Sequence, residues 1–525
     1  MKIYKPLIPV ITLLGLFIAP GCNNLLDEEP EDRIILEQLY NTDEDLTNAA
    51  YGIYNPFLED NNYRRGRIMY LLGMRTDEVK LSDDRIGEAS VLDLATFNMN
   101  TDNRFIRDAW RLYYNVINRA NIMIERAPDA ESASQGVKSR VIAEAYLVRA
   151  FCYFNLVRLW GDVPLQLSFT ASIEGARLPR TDAETVYAQI IEDLRHAAGE
   201  IDTDVILPTV SGNIDQGRVT LSSAHTLLAD VYLTLGNFAQ AEEYARRVMD
   251  SGLHGLWPNY GDVFSIASQY DELPGAPNAE SIFQLSFDPD RGIGSRFATQ
   301  TFPRDQILPF AAQASRVGEG FFDVDESSFN AFDPADLRRN YIFPDSLVTG
   351  SGSDSPLPAR DTLVTFSGQT VVFNEEEPYF ILKYRADDPT NRFQWGSNPW
   401  PLYRYAEILL IYAEAIVEQR TPSQAELDES VNRLRARAGL PAIITASGQE
   451  GIRQAIRDER YAELYFEGKR FFDLVRWGEL VNTINNRDFG YPIGNTIDER
   501  YELLPIPLEE ISTNPDIGEN NPPWN

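Results

Sequence analysis

Apolar residues recur at steps of three and four over two long zones, residues 40–255 and 401–485, which places them on single faces of successive α-helices. The spacing predicts a mainly α protein. Within the first zone, residues 145–159 (AYLVRAFCYFNLVRL) are apolar nearly all round, so a buried helix is expected there, with Cys152 a small core residue and Gly161 and Pro164 ending it. Residues 220–235, a tight Gly236-Asn237-Phe238 turn and residues 239–249 read as a helix pair. In it Ala229, Tyr232, Leu233, Gly236, Phe238, Ala241 and Ala245 are spaced as in a tetratricopeptide repeat. Looser versions join 145–159 with 183–198 and 405–418 with 423–438. Such pairs cannot bury their faces alone, so they must stack into a scaffold assembled from distant parts of the chain.

Between residues 256 and 400 the texture changes. Pro and Gly multiply, helical periodicity fades, and short β-like runs occur at 281–287, 362–366, 370–373 and 379–384. This predicts a loop-rich insert with short β-hairpins lying on the helical platform, where ligand contacts are expected because long loops on rigid scaffolds carry function. The chain thus divides into a leader (1–21), an acidic linker (22–39), an N-terminal helical region (40–255), the insert (256–400) and a C-terminal helical region (401–525). Everything after residue 40 is expected to form one compact unit.

Lys2 and Lys5 precede an apolar run at residues 7–19, only about 20 Å long as a helix against roughly 30 Å of bilayer core, so it reads as a secretory signal peptide. Ala19-Pro20-Gly21-Cys22 resembles the lipobox of bacterial lipoproteins, with Ala19 where leucine is usual. That resemblance implies that Cys22 is acylated and becomes the first mature residue, anchored in outer-membrane lipid. The acidic run Asp27, Glu28, Glu29, Glu31 and Asp32 resembles the surface-export signal of Bacteroidetes-type lipoproteins.

Composition narrows the function. In 525 residues, 43% hydrophobic and 11% aromatic content supplies a large core, while a net charge of −32 repels phosphate backbones and argues against nucleic acid as a partner. Cys22 and Cys152 sit in unlike surroundings, so no disulfide framework is expected. His196, His225 and His254 lack ligand spacing, so neither a zinc site nor a histidine-based triad is expected, and no cofactor.

Five groups of residues are candidates for chemistry. Glu459, Glu463 and Glu467 fall four apart on a predicted helix face that also carries Arg457, Arg460 and Arg470. Paired carboxylates are the signature of a glycosidase, but interleaving with arginine predicts an ion network that lowers carboxylate pKa. Gly292-Ile293-Gly294 is followed by Phe297 where a dinucleotide loop needs glycine, and Gly350-Ser351-Gly352-Ser353 reads as a loop tip. Asp288-Pro289-Asp290 and Asp387-Asp388 lack the oxygen set of a calcium site. Trp395 and Trp400, in FQWGSNPWP, are read as exposed aromatics suited to stack on sugar rings, with core packing the alternative. A second patch comprises Arg75, Asp77 and Glu78, with Phe97 and Asn98 beyond.

Ordered motifs run through nearly the whole chain: Trp110-Arg-Leu-Tyr113 with Asn121; residues 144–164 (EAYLVRAFCYFNLVRLWGDVP); Arg404-Tyr-Ala-Glu407 through Tyr412-Ala-Glu-Ala415; and Asn432-Arg-Leu-Arg435-Ala-Arg437-Ala-Gly439. Further on stand Glu459-Arg460; Glu467-Gly-Lys-Arg470-Phe-Phe-Asp473-Leu-Val-Arg476-Trp477-Gly478; Leu504-Pro-Ile-Pro507; and Asn520-Asn521-Pro-Pro-Trp524. In these the chain resembles the SusD/RagB family of nutrient-capturing surface lipoproteins. The resemblance implies a mostly helical fold on tetratricopeptide-like units, no catalytic chemistry, a SusC-like TonB-dependent transporter as partner and a position on the outer face of the outer membrane. It also implies that loops before the Trp110 helix and in the insert contact the ligand, so that both patches face one pocket. The ligand implied is a glycan; peptide capture by the same kind of system is the alternative, and a lipid-anchored glycoside hydrolase the rival from another class.

Overall fold

The computed structural model describes residues 40–170, 172–210, 217–265, 280–301, 319–342, 348–349, 353–354, 363–366, 369–372, 381, 383–384, 395–490 and 496–524. The leader, Cys22, the acidic linker, Gly350-Ser351-Gly352 and Asp387-Asp388 lie outside the described residues.

The long helices of the first zone start where the sequence supplies a cap. Thr42 and Asp45 form a capping box on α1 (Asp43–Tyr54). Asn103 accepts from the Phe105 N–H at 3.1 Å to open α2 (Arg104–Arg126), Ser134 caps α3 (Gln135–Trp160), and Asp182 accepts from the Thr185 N–H at 2.8 Å to open α4 (Ala183–Ala197). α3 is apolar all round because it is central: it packs against α1, α2 and α4, and Cys152 within it is fully buried. The tetratricopeptide-like pair is α5 (Leu221–Thr234) and α6 (Phe238–Asp250), joined by a turn in which Gly236 has φ +70°, a conformation that favours glycine.

The third predicted pair departs from expectation. α7 (Tyr405–Gln419) is followed not by one helix over 423–438 but by α8 (Gln424–Glu429) and α9 (Val431–Arg437), broken at Ser430 with φ −121° and ψ −106°. α7 packs chiefly on α6 and on α10 (Gly448–Glu463).

In the insert, β1 (Ser281–Leu285) matches the first predicted run, and β2 (Leu363–Phe366) pairs with β3 (Gln369–Val372) as an antiparallel hairpin in which Leu363 faces Val372. Of the run at 379–384, the described residues Ile381, Lys383 and Tyr384 form no strand. A strand that the pattern did not predict, β4 (Trp400–Arg404), runs antiparallel to β1 with Leu285 opposite Trp400 and Ser281 opposite Arg404. It straddles the 400/401 boundary and ties insert to scaffold.

The end of α3 is closed by the C-terminal segment. The Trp160 indole N–H donates to the Pro505 carbonyl at 2.9 Å, and the Leu504 N–H to the Leu159 carbonyl at 2.7 Å. The Asn521 side-chain amide donates to the carbonyls of Trp160 and Leu504 at 2.8 and 2.9 Å. These bonds satisfy carbonyls that a helix end leaves free, and they account for the Leu504–Pro507 and Asn520–Trp524 motifs.

Candidate functional site

Of the sequence-nominated aromatics, Trp395 alone combines partial exposure with a cluster of charged groups. It is half-buried at the seam between the segment before α2 and the insert. Ser295 and Gly396 exchange backbone hydrogen bonds of 2.7 Å on either side of it, and Gly294 lies so close that a Cβ there would sit 2.6 Å from the Trp395 Cβ. The turn at Gly292-Ile293-Gly294 therefore seats a tryptophan, not a nucleotide. The guanidinium of Arg64 lies 4.1 Å from the indole centroid, that of Arg296 5.2 Å and that of Arg65 5.8 Å.

The arginines are held in place from both sides of the seam. Arg64 donates from Nε to the Gly294 carbonyl at 2.9 Å and from Nη2 to the Gly292 carbonyl at 2.6 Å, and its Nη1 lies 2.9 Å from Asp60. Arg65 shares Asp60 at 3.1 Å, Arg296 pairs with Glu319, and Arg67 donates to the Asn61 side chain at 2.6 Å. The loop can approach this closely because Gly66 has φ +64° and no side chain; a Cβ there would be 1.9 Å from the Phe297 ring. Burial pushes the Arg64 guanidinium below its ordinary pKa; Asp60 opposes this, and Arg65 and Arg296 add to it by repulsion. Burial likewise lowers Arg67, with Arg65 and Arg104 contributing. Arg64, Arg65, Arg67 and Arg296 were missed in the sequence, where the trace was an Arg-Arg-Gly-Arg run in a strongly acidic chain.

The other nominated residues are placed differently. Trp400 is a correction: it is 3% exposed, within β4, and its ring meets Tyr63, Phe297 and Tyr384 at 5.6, 4.2 and 5.5 Å, so it is core. Arg75 is also internal. It folds back after the short helix Ile68–Leu72, donates to the Leu71 carbonyl and lies 3.8 Å from the Phe471 ring centroid, and burial pushes its pKa down to about 9. Phe97 is 1% exposed, in a left-handed conformation with φ +54°. Glu78 is buried, accepting from the Phe466 N–H at 2.6 Å. Asn98 is exposed. Asp77 makes a two-pronged ion pair with Arg470 at 2.8 and 2.7 Å and lines a cavity of about 410 Å³ with Ser328, Arg338, Arg435, Tyr461 and Trp477. Trp395 is not in that lining, so the two patches do not share this cavity. The arginines of its lining are paired, Arg435 with Glu459 and Arg457 with Glu479.

The glutamate stripe is an ion network, though not the expected one. α10 ends at Glu463, and Glu467 lies beyond it in a turn where Phe466 has φ +58°. Partners come from elsewhere in the chain: Arg338 to Glu459 and Glu463 at 2.6 and 2.9 Å, Arg404 to Glu280 and Glu463 at 2.6 and 2.5 Å, Arg437 to the same two carboxylates, and Lys383 to Glu467. Burial pushes the Glu463 carboxyl up, but Arg437, Arg404 and Arg338 outweigh it and hold it well below the usual range. Glu467 is likewise lowered by Arg404 and Lys383 against burial. Buried, ionised carboxylates of this kind are poor general acids. Asp288 caps a short turn, accepting from the Asp290 and Arg291 N–H groups, and no cluster of three or more metal-ligating side chains occurs among the described residues.

Fold and seam together define a helix-repeat platform that carries a half-buried tryptophan ringed by arginines. The chain belongs to the SusD/RagB family: a family model described as "SusD family" matches residues 367–524, and one described as "Starch-binding associating with outer membrane" matches residues 24–233. It is similar to SusD-like protein P25 of Formosa agariphila, 26% identical over 99% of both chains. It is also similar to the starch-binding protein SusD of Bacteroides thetaiotaomicron, 25% identical over 75% of this chain and 74% of that one. Among solved structures, surface glycan-binding protein A of Bacteroides thetaiotaomicron in complex with laminarihexaose has the same fold, with a TM-score of 0.71 and 20% identity over 92% of this chain and all of the other.

Proposed function

We propose that this protein is a lipid-anchored binding protein on the external face of the outer membrane that captures a glycan and passes it to a SusC-like TonB-dependent transporter. The observation that carries the glycan reading is Trp395, an aromatic face at the seam of the two regions where family resemblance puts ligand contacts, ringed by hydrogen-bonding groups. A sugar ring offers apolar C–H faces to an indole and hydroxyls to nearby Arg, Asp and Asn side chains. The family descriptions and the relatives named for starch and glycan binding support this reading.

Trp395→Ala is expected to weaken glycan binding by about 1–3 kcal/mol, the range for stacking on an aromatic face, with an unchanged melting temperature. Trp400→Ala, in contrast, is expected to lower the melting temperature. Titration calorimetry and thermal melts check both; a Trp395→Ala protein that binds normally refutes the assignment.

For the anchor and transporter, detergent extraction from native cells and purification through an affinity tag should recover a β-barrel partner with the wild-type chain. Cys22→Ala should shift the chain out of the membrane fraction. Wild-type chain recovered alone, or a Cys22→Ala chain that stays with the membrane, refutes the corresponding part.

A further inference from the structure

In a chain of net charge −32, the surface around Trp395 is locally cationic. Arg64, Arg65 and Arg296 lie within 5.8 Å of the indole centroid, and Arg67 and Arg104 are near enough to repel their neighbours. The carboxylates paired with these arginines are fewer: Asp60 serves both Arg64 and Arg65, Glu319 serves Arg296, and Glu88 serves Arg104 at 3.5 Å. Arg64 is committed to the Gly292 and Gly294 carbonyls and orients the platform. Arg65 and Arg296 are each paired with one carboxylate and their side chains stay 27% and 13% exposed, while the enclosed Nε of each has no hydrogen-bond partner among the described residues. Assembling like charges costs free energy, which an anionic ligand would offset.

We propose that the glycan bound at Trp395 is anionic, a polysaccharide bearing carboxylate or sulfate groups that the Arg65 and Arg296 guanidiniums recognise while the sugar ring stacks on the indole. The inference rests on the reading of Trp395 as the glycan platform. Guanidinium suits such a ligand because its planar fork of donors matches carboxylate and sulfate oxygens. The overall negative charge does not oppose binding at short range, because at physiological ionic strength fields from exposed charges decay over about 8 Å, whereas groups in contact are screened far less. Elsewhere on the surface the acidic groups repel polyanions that come within that distance.

Titrations into the full chain in detergent would compare polygalacturonate, a carrageenan, the same carrageenan chemically desulfated, and laminarin as a neutral glycan, with polyphosphate as a control for charge alone. One of the two anionic polysaccharides is expected to bind at least about tenfold more tightly than either neutral one, as for a charge-assisted hydrogen bond, and to weaken as salt rises from about 0.05 to 0.3 M. Which of them binds tells carboxylate from sulfate. Arg65→Gln and Arg296→Gln are each expected to lower that affinity about tenfold, a larger loss than either causes in neutral-glycan binding, with the variants still folded by circular dichroism, and Arg65→Lys should recover part of it. Laminarin or desulfated carrageenan bound as tightly as the anionic forms overturns the inference and leaves the glycan reading standing. Polyphosphate bound equally well, or anionic binding indifferent to Trp395→Ala, shows bare charge attraction and also overturns it. No binding of any polysaccharide overturns the glycan reading and this inference with it.

Discussion

Arg404→Ala is expected to destabilise the protein by about 3–5 kcal/mol, the cost of leaving buried carboxylates without their partner. Arg404 stands at the junction of β4 and α7 and is 1% exposed. It donates to Glu280 at 2.6 Å, to Glu463 at 2.5 Å and to Glu467 at 2.9 and 2.8 Å, with a further bond of 2.6 Å to the Glu463 carbonyl. Glu280 comes from the insert and the other two from the C-terminal helical region, so one guanidinium neutralises acids from both. Chemical denaturation measures the loss. In a Glu467→Gln background, where one of the stranded charges is absent, the same substitution should cost less by at least about 1 kcal/mol. Equal losses in the two backgrounds would show that packing, not charge, is what Arg404 contributes.

Glu78→Gln is expected to stabilise the protein above pH 5, increasingly so toward pH 8. Burial pushes the Glu78 carboxyl from its ordinary value of 4.5 up to about 8, partly opposed by the Phe466 N–H. The folded state therefore keeps a proton that the unfolded chain releases near 4.5. Between those values unfolding releases a proton, and stability falls as pH rises, by about 1.4 kcal/mol per pH unit from this group. Glutamine resembles the protonated acid and removes that slope. Glu463 and Glu467 act in the opposite sense: their lowered pKa values contribute stability that is present above 4.5 and is lost as pH falls below it. Wild-type melting temperature should thus peak on the acid side of neutrality, and the Glu78→Gln protein should gain most on the alkaline side of that peak. A wild-type to variant difference that does not vary with pH would show that Glu78 is ionised throughout.

Helices were legible where burial has a period. The α5–α6 pair follows from local spacing, because each helix buries a face set by its own residues, whereas α3 is legible from the length of its nearly unbroken apolar run. β4 was not legible: WPLYR is buried at every position, so it shows no alternation, and its partner β1 is far away in the chain. The same reason separates Trp395 from Trp400. Both stand in one polar, Pro- and Gly-punctuated stretch, and only the pairing of β4 with β1 decides that Trp400 turns into the core. Arg75 looked like a surface arginine since its cover, Phe471, belongs to a distant helix. For the glutamate stripe the chemistry was readable but the partners were not. Arg457, Arg460 and Arg470 bond to Glu479, Asp473 and Asp77, while Glu463 is held by Arg338, Arg404 and Arg437.

The strap over α3 bears on when this protein can fold. Trp160 finds its acceptor 345 residues further along, and Asn521 reaches back 361 residues to the Trp160 carbonyl. Closing such long loops comes late, because the entropy of bringing distant segments together is spent before their contacts return anything. The helix at the centre of the core is therefore unfinished while the chain is being made. A ribosome holding the first three hundred residues holds a polypeptide with exposed apolar surface, which chaperones can keep unfolded and a protein-conducting channel can still thread.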